Sequence, residues 1–335
     1  SYMSDKGTAT ISNVEMGSSM IENYLTYDFN INKNHKFNLL AGHSYQRFRI
    51  YTYSTAETGF ASSAVDNLYD LTLGKYTQAT NASDITVNEL QSFFGRVNYN
   101  LWEKYLLTVN FRADGSTKFG ANNKYGYFPS AALAWRMTEE EFIKKLNVFS
   151  NLKMRLGWGI TGNQEITSKI SQATLGSVTG AVLNGGSTLI PGYTLTRTPN
   201  PDLKWEKTTQ YDWGVDFGFF GGRLSGTLDL YYKTTTDVQM SVSTKMPAPT
   251  ATFWTNKNLD IVNKGLELSL NGIIISNKKW NWSVNGNFST INNCVRHMDV
   301  SKIATGYPSG PGITGTPSQY IINNALTQRV VYGLR

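Results

Sequence analysis

Residues 105–114 read YLLTVNFRAD. In an extended chain successive side chains point to opposite sides, so Tyr105, Leu107, Val109, Phe111 and Ala113 form one face and Thr108, Asn110, Arg112 and Asp114 the other. One face is greasy and one is wet. The split recurs at 152–160, where Leu152, Met154, Leu156, Trp158 and Ile160 oppose Lys153, Arg155, Gly157 and Gly159. At 210–219 it sets Tyr211, Trp213, Val215, Phe217 and Phe219 against Gln210, Asp212, Gly214, Asp216 and Gly218. At 280–289, Trp282, Val284 and Phe288 oppose Asn281, Ser283, Asn285 and Asn287.

A water-soluble sandwich also alternates, and the links between the segments separate the two cases. The pattern predicts about ten strands, at 21–31, 36–50, 91–101, 105–114, 126–136, 152–161, 206–219, 224–235, 264–275 and 280–291. Their connections alternate between short (32–35, 102–104, 220–223, 276–279) and long (51–90, 115–125, 162–205, 236–263 and beyond 292). Short turns on one rim and long loops on the other describe an all-β, antiparallel transmembrane barrel with the short rim in the periplasm. Trp102, Tyr105, Trp135, Phe219, Trp280 and Trp282 cluster near the short links, where rings with an apolar body and a polar tip form an interfacial girdle. One short-side link is longer, and Thr138 followed by Glu139, Glu140 and Glu141 reads there as a capping box opening a two-turn helix.

Composition excludes several other classes. No run approaches the ~20 apolar residues of a membrane helix. The net charge of +7 comes from 31 scattered Lys and Arg without a basic run, so nucleic acid is not an expected partner. The single Cys294 excludes an internal disulfide framework and reads as an exposed or loop thiol without a role. His35, His43 and His297 are spaced for no metal site, and no catalytic or cofactor motif is present. Asp66 with Asp70 falls in a predicted outer loop, and the acidic run at 139–141 suits a helix start.

The wet face carries Arg96, Arg112, Asp114, Arg155, Asp212 and Asp216, together with Asn98, Asn100, Lys153, Asp229 and Glu267. Such a lining suits a watered or plugged lumen. It either conducts a hydrophilic solute or holds a plug by hydrogen bonds and ion pairs.

Longer stretches resemble a known family. FRADGSTKFG at 111–120, YGYFPSAALAWRM at 125–137 and SNLKMRLGWGITGNQ at 150–164 are similar to sequences of SusC/RagA barrels, the TonB-dependent importers of oligosaccharides and peptides. So are the stretch from NPDLKWEKTTQYDWGVDFGF to YYKTTTD at 200–237 and NKGLELSLNG at 263–272. The resemblance spans most of 21–300. It implies a plugged barrel of about 22 strands, a SusD-like surface lipoprotein as a lid, TonB coupling through a plug, and a glycan or peptide ligand. Residues 1–335 are then expected to be part of the barrel domain, without plug or terminal strand. A passive porin or a surface adhesion barrel is the alternative. Ligand contact is expected from outer-loop aromatics Trp254, Phe253, Tyr193 and Trp205, with Asn256 and Asp260 as polar contacts, although the same rings also suit packing beneath a lid.

Overall fold

A strict swap of apolar and polar residues suits a pleated sheet with lipid on one side and water on the other, and each predicted segment falls on a strand, the last starting one residue before its strand does. The computed structural model describes residues 8–60, 70–74, 80–182, 189–244, 247–297, 320–323 and 327–330. Its strands are β1 (Thr8–Asn32), β2 (His35–Thr58), β3 (Thr80–Leu101), β4 (Tyr105–Ser116), β5 (Tyr125–Arg136), β6 (Phe149–Asn163), β7 (Thr174–Val182) and β8 (Leu189–Arg197). They continue with β9 (Glu206–Phe219), β10 (Leu224–Thr236), β11 (Val238–Ser243), β12 (Thr252–Lys257), β13 (Asp260–Ser276), β14 (Asn281–Arg296), β15 (Tyr320–Asn323) and β16 (Thr327–Val330). Twelve form one sheet in the order β1-β2-β3-β4-β5-β6-β9-β10-β13-β14-β16-β15, while β7–β8 and β11–β12 are separate hairpins. No helix among the described residues is long and apolar enough to cross a membrane.

The register keeps the two faces apart, because directly paired residues in antiparallel strands share a face. Val109 stands between Val97 and Ala131, and Asn110 between Arg96 and Ser130. On the far side of the sheet Trp213 lies between Leu156 and Leu230, and Gly214 between Arg155 and Asp229.

At the periplasmic end of the apolar face the aromatic rings touch in an unbroken series. Tyr27, Phe29, Phe37, Tyr99, His35, Trp102, Tyr105 and Trp135 follow one another with centroids 4.6–6.5 Å apart across β1 to β5. Phe149, Phe219, Phe217 and Phe220 form a second group. Tyr125 marks the other border of the band on the same strand as Trp135. Ten residues rise about 33 Å along a strand, and a tilt of about 35–45° turns that into a band of roughly 25 Å, the height of a membrane-barrel girdle pair.

The short turns are tight. In the three-residue link 102–104, Trp102 and Glu103 both take left-handed backbone (φ 53° and 57°) at the centre of a turn closed by Lys104 N donating to Leu101 O (3.0 Å). Neither is glycine, so local strain is offset by neighbours: Trp102 meets Tyr105 and His35, and Glu103 pairs with Lys36.

Four expectations need correction. First, β1, β2 and β3 run to 25, 24 and 22 residues, so much of 8–20 and 51–90 is strand. Beyond the bilayer both faces are wet, and apolar–polar alternation no longer marks a strand. Second, the long links 162–205 and 236–263 contain the hairpins β7–β8 and β11–β12. Third, Thr138 caps nothing. The link holds a 3-10 turn at Met137–Glu139 and a single α turn, α1 (Glu141–Lys144), with Glu140 at its cap position and no side-chain cap bond. Fourth, Cys294 is neither exposed nor in a loop: it is a buried residue of β14, opposite Val262. Asp66 lies outside the described residues; Asp70 accepts hydrogen bonds from the Thr72 amide and hydroxyl, which hold its carboxyl below the usual carboxylate range.

Glu140 is instead a clip. Its carboxylate accepts from Lys104 Nζ (3.0 Å), Tyr105 Oη (2.8 Å) and Trp135 Nε1 (3.2 Å), fastening the link to the aromatic belt. The Lys104 bond, then the Tyr105 and Trp135 bonds, hold the Glu140 carboxyl below its ordinary value. A carboxyl with a depressed folded pKa stabilises the fold above its unfolded pKa, and that contribution fades as pH falls through the lower folded value. Amide hydrogen exchange of residues 140–146 in the full-length protein is therefore expected to accelerate, beyond the intrinsic pH effect, below about pH 4. In Glu140→Gln the same amides should be less protected at neutral pH and lack that step.

Candidate functional site

On the wet face the strands place small residues where large charged ones must reach across. Gly214 of β9 sits between Arg155 of β6 and Asp229 of β10 in register. Without a Cβ at 214 there is room for the Arg155 guanidinium, whose Nη2 donates to Asp229 Oδ1 (2.8 Å) while Nε and Nη2 donate to Asp216 Oδ1 (3.0 and 2.8 Å). Lys153 Nζ stands 3.7 Å from the other Asp216 oxygen. Three adjacent strands are thus tied by one guanidinium. Asp212 accepts both oxygens' bonds from Gln210 (2.8 and 2.7 Å). Beside these groups is a hollow of about 340 Å³, floored by Thr108, Ala132, Ala134, Gly157 and Gly214 and bordered by Arg155, Asp212 and Asp229.

A second polar unit lies on β4. Arg112 Nε donates to Asp114 (2.8 Å), and the guanidinium lies over the Phe94 ring at 5.3 Å. Arg96 stands apart, paired in register with Asn110 and Leu40. The structure therefore joins Arg155 with Asp216 and Arg112 with Asp114, sets Asp212 beside the first group, and leaves Arg96 outside both. Phe94 was missed by sequence reasoning. Its signal was there, an aromatic at a polar-face position between Ser92 and Arg96.

Replacing Arg155 with Leu strands two carboxylates. Side chains in this network are 20–37% exposed, so water screens them and the expected loss is about 1–2 kcal/mol, well under that of a sealed ion pair. Thermal unfolding of the full-length protein should show the loss, and Asp216→Asn with Asp229→Asn in the same background should recover most of it. If each substitution adds independently, the groups do not form one network.

At the outer end of the wall the long loops build a core on the strand ends. Phe119, Ile166, Ile170, Leu203 and Trp205 of the loops are buried with Phe128 of β5, and Leu90 of β3, Ile160 of β6 and Trp254 of β12 pack against them. Polar bonds knit the loops 117–124, 164–205 and 237–259. Gly120 N donates to Leu203 O (2.8 Å), Asn122 N to Pro201 O (3.0 Å), and Asn200 Nδ2 to Trp254 O (2.8 Å). This layer decides where the outer-loop candidates stand. Trp205 is only 4% exposed, its ring wedged between Phe119 and Phe128 and its Nε1 donating to Lys124 O (2.9 Å). At that exposure the ring is a member of the loop core and does not stand open at the rim. Asn256 is similarly engaged: Oδ1 accepts from Lys204 N and Nδ2 donates to Lys204 O and Asp237 O. Asp260 holds His297 Nδ1 at 3.0 Å. Phe253 sits on β12 opposite Val242, and Trp254 leans on the core. Tyr193, on β8, is 76% exposed. Trp205 and Trp254 thus pack in one cluster with Asn256 bonded beside it at Lys204, while Tyr193 stands exposed on the β7–β8 hairpin.

Lipid on one side of a sheet and charged, watered groups on the other leave one class of protein, the wall of an outer-membrane transport barrel. The sequence matches the family described as TonB dependent receptor-like, beta-barrel over residues 2–331, and the chain belongs to that family. It is 39% identical over 227 residues to the TonB-dependent receptor SusC of Bacteroides thetaiotaomicron, covering 66% of this chain and 22% of that protein. To the TonB-dependent receptor P3 of Formosa agariphila it is 35% identical over 284 residues, covering 84% of this chain and 28% of the relative. In the RagAB peptide transporter a chain superposes with a TM-score of 0.73 at 28% identity, over 86% of this chain and 31% of that one. The outer membrane transporter YddB from Escherichia coli shares the fold alone, with a TM-score of 0.56 at 14% identity. The chain is thus of the SusC/RagA type, resides in the outer membrane, and spans less than a third of the length of SusC, P3 and the RagAB chain.

Proposed function

We propose that these residues form part of the wall of a plugged barrel of about 22 strands that imports oligosaccharides or oligopeptides, with a SusD-like lipoprotein as lid and TonB as the energy source. The observation that carries this reading is the charged inner face, where Arg155 bridges Asp216 and Asp229 beneath a packed outer loop layer. Such a wall suits a water-filled or plugged lumen and a hydrophilic cargo. β1 adds a physical reason for further strands. Its outer edge has no partner among the described residues, and an open edge in a bilayer leaves backbone groups unsatisfied. The relative SusC is a TonB-dependent receptor and RagAB a peptide transporter, which supports TonB coupling and peptide as one cargo class. Of the rim residues, Tyr193 and Phe253 are the ones proposed to meet ligand or lid.

The test is uptake by cells carrying the intact gene, using labelled oligosaccharides and oligopeptides, with and without a protonophore. Import of one class that stops on de-energising, together with a stoichiometric lipoprotein on purification, supports the reading. Uptake indifferent to the protonophore would falsify active import and favour the passive porin.

A further inference from the structure

The lipid-facing side of the sheet carries a hollow that neither the lumen nor the loop layer uses. Register sets Ala131, Trp158, Tyr211 and Tyr232 in one row across β5, β6, β9 and β10, with Trp213 and Leu230 in the next row toward the periplasm. Alternation turns these side chains away from the lumen, since Gly214, the residue after Trp213, is the one beside the Arg155 guanidinium. The hollow they line measures about 560 Å³, and its surface is almost wholly apolar. Asp212 also borders it, with its carboxylate bonded to Gln210 on the lumen side. Depth follows from the strands. Phe219 and Leu224 flank a periplasmic turn, and Tyr211 and Tyr232 lie eight positions beyond them. At about 3.3 Å per residue and a tilt of about 35–45°, that is about 20 Å from the turn, in the outer half of an apolar band of about 25 Å.

Two cations stand at its outer rim. Lys264 of β13 continues the row beside Tyr232 and is exposed. The strand tilt carries a register row outward, so Lys264, twelve positions from Ser276 at the periplasmic end of β13, lies at the outer water boundary. Arg296 of β14 reaches across β13 and donates from Nη1 to Tyr232 Oη (3.4 Å). The charge on this face is one-sided. Among the described residues, the lipid-facing positions of β4, β5, β6, β9, β10, β13 and β14 hold the cations Lys207, Lys264 and Arg296 and one carboxylate, Asp260. Asp260 stands opposite Arg296 in register but holds His297, while Asp237, just past β10, is held by Lys204. Lys264 and Arg296 enter no ion pair among the described residues. An apolar hollow in the acyl region beneath two such cations matches a lipid with a phosphate on its headgroup.

We propose that the hollow is a binding site for lipid A, the phosphorylated and multiply acylated lipid of the outer leaflet. Acyl chains lie against Trp158, Tyr211 and Trp213, and Lys264 with Arg296 takes the phosphate. Four strands at about 4.8 Å spacing make the hollow about 14 Å wide, room for chains side by side. The site is independent of the cargo and of the lid.

Native mass spectrometry of the full-length protein, purified from outer membranes in mild detergent and stripped of lipid, would compare retention of added monophosphoryl lipid A, the same lipid after dephosphorylation, and phosphatidylglycerol. Monophosphoryl lipid A should be retained most. Lys264→Gln with Arg296→Gln should cut its retention roughly 25-fold, at about five-fold per cation near an anionic group, and leave the dephosphorylated lipid unaffected. Lys264→Arg with Arg296→Lys should preserve the preference. Ala131→Phe fills the hollow and should lower retention of both forms of lipid A. Equal retention of the phosphorylated and dephosphorylated forms, phosphatidylglycerol held as well as lipid A, or unchanged retention in Ala131→Phe would each overturn the proposal. Heat-dependent gel migration verifies that each variant is a folded barrel, and the charge-preserving pair separates loss of charge from loss of fold.

Discussion

Trp205→Ala is expected to loosen the extracellular loops by about 3–5 kcal/mol while the strands beneath stay paired. The indole fills the space between Phe119 and Phe128, beside the fully buried Leu203, and truncation leaves a cavity lined by residues from three loops. It also strips Lys124 O of its Trp205 donor. The surroundings can relax only partly, since Gly126 and Gly162 are already pressed against the rings of Phe128 and Trp205. Limited proteolysis on intact cells is the measurement: cleavage within 164–205 should speed up by orders of magnitude, while heat-dependent gel migration still reports a closed barrel. Trp205→Phe retains much of the volume and should be far milder. A Trp205→Ala protein with native loop resistance would mean that the cluster does not hold the layer.

Gly120→Ala attacks the same layer through its backbone. A Cβ at 120 would overlap the Pro201 carbonyl and stand 2.8 Å from Asn200 O. These are main-chain atoms, so no rotamer change relieves the clash. Segment 117–124 would have to lift away from 200–203, giving up Gly120 N to Leu203 O, Asn122 N to Pro201 O, and the bonds from Asn122 and Asn123 side chains to Asp202. Overpacking costs about 1–3 kcal/mol, and each lost hydrogen bond adds roughly 1 kcal/mol. Gly17→Ala is the matched control, because nothing lies within 4 Å of a Cβ there. Differential hydrogen exchange should show 117–124 and 200–205 losing protection together in Gly120→Ala and neither moving in Gly17→Ala.

What the sequence revealed follows the physics of the bilayer. Where lipid meets one face and water the other, as at 105–114 and 210–219, alternation is enforced and the strands are legible. Where water meets both, as at TNASDITVNE (80–89), nothing enforces it, and a stretch that is strand in the structure reads as loop. The lumen charges were legible as a face, but their partners depend on neighbouring strands. Arg155 and Asp229 are 74 positions apart and meet only because Gly214 stands between them. Trp205 was misjudged because an aromatic in a long link looks available until the other loops fold over it. Glu140 does stand at a helix start, as acidic residues before an apolar run usually do, but its work as a clip was not legible, because its three donors lie on another turn or at strand ends.

The uneven strand lengths have a geometric outcome. β3 pairs with β2 as far as Thr80 but with β4 only from Leu90. Ten further residues at about 3.3 Å each make the wall there some 30 Å longer than its neighbour. The outer rim of this stretch of wall is therefore stepped, tall along β1 to β3 and lower from β4 onward. The loops knitted over the low strands gain a flank to lean on, which a flush rim would lack: Lys169 Nζ donates to Ile85 O of β3 (2.6 Å).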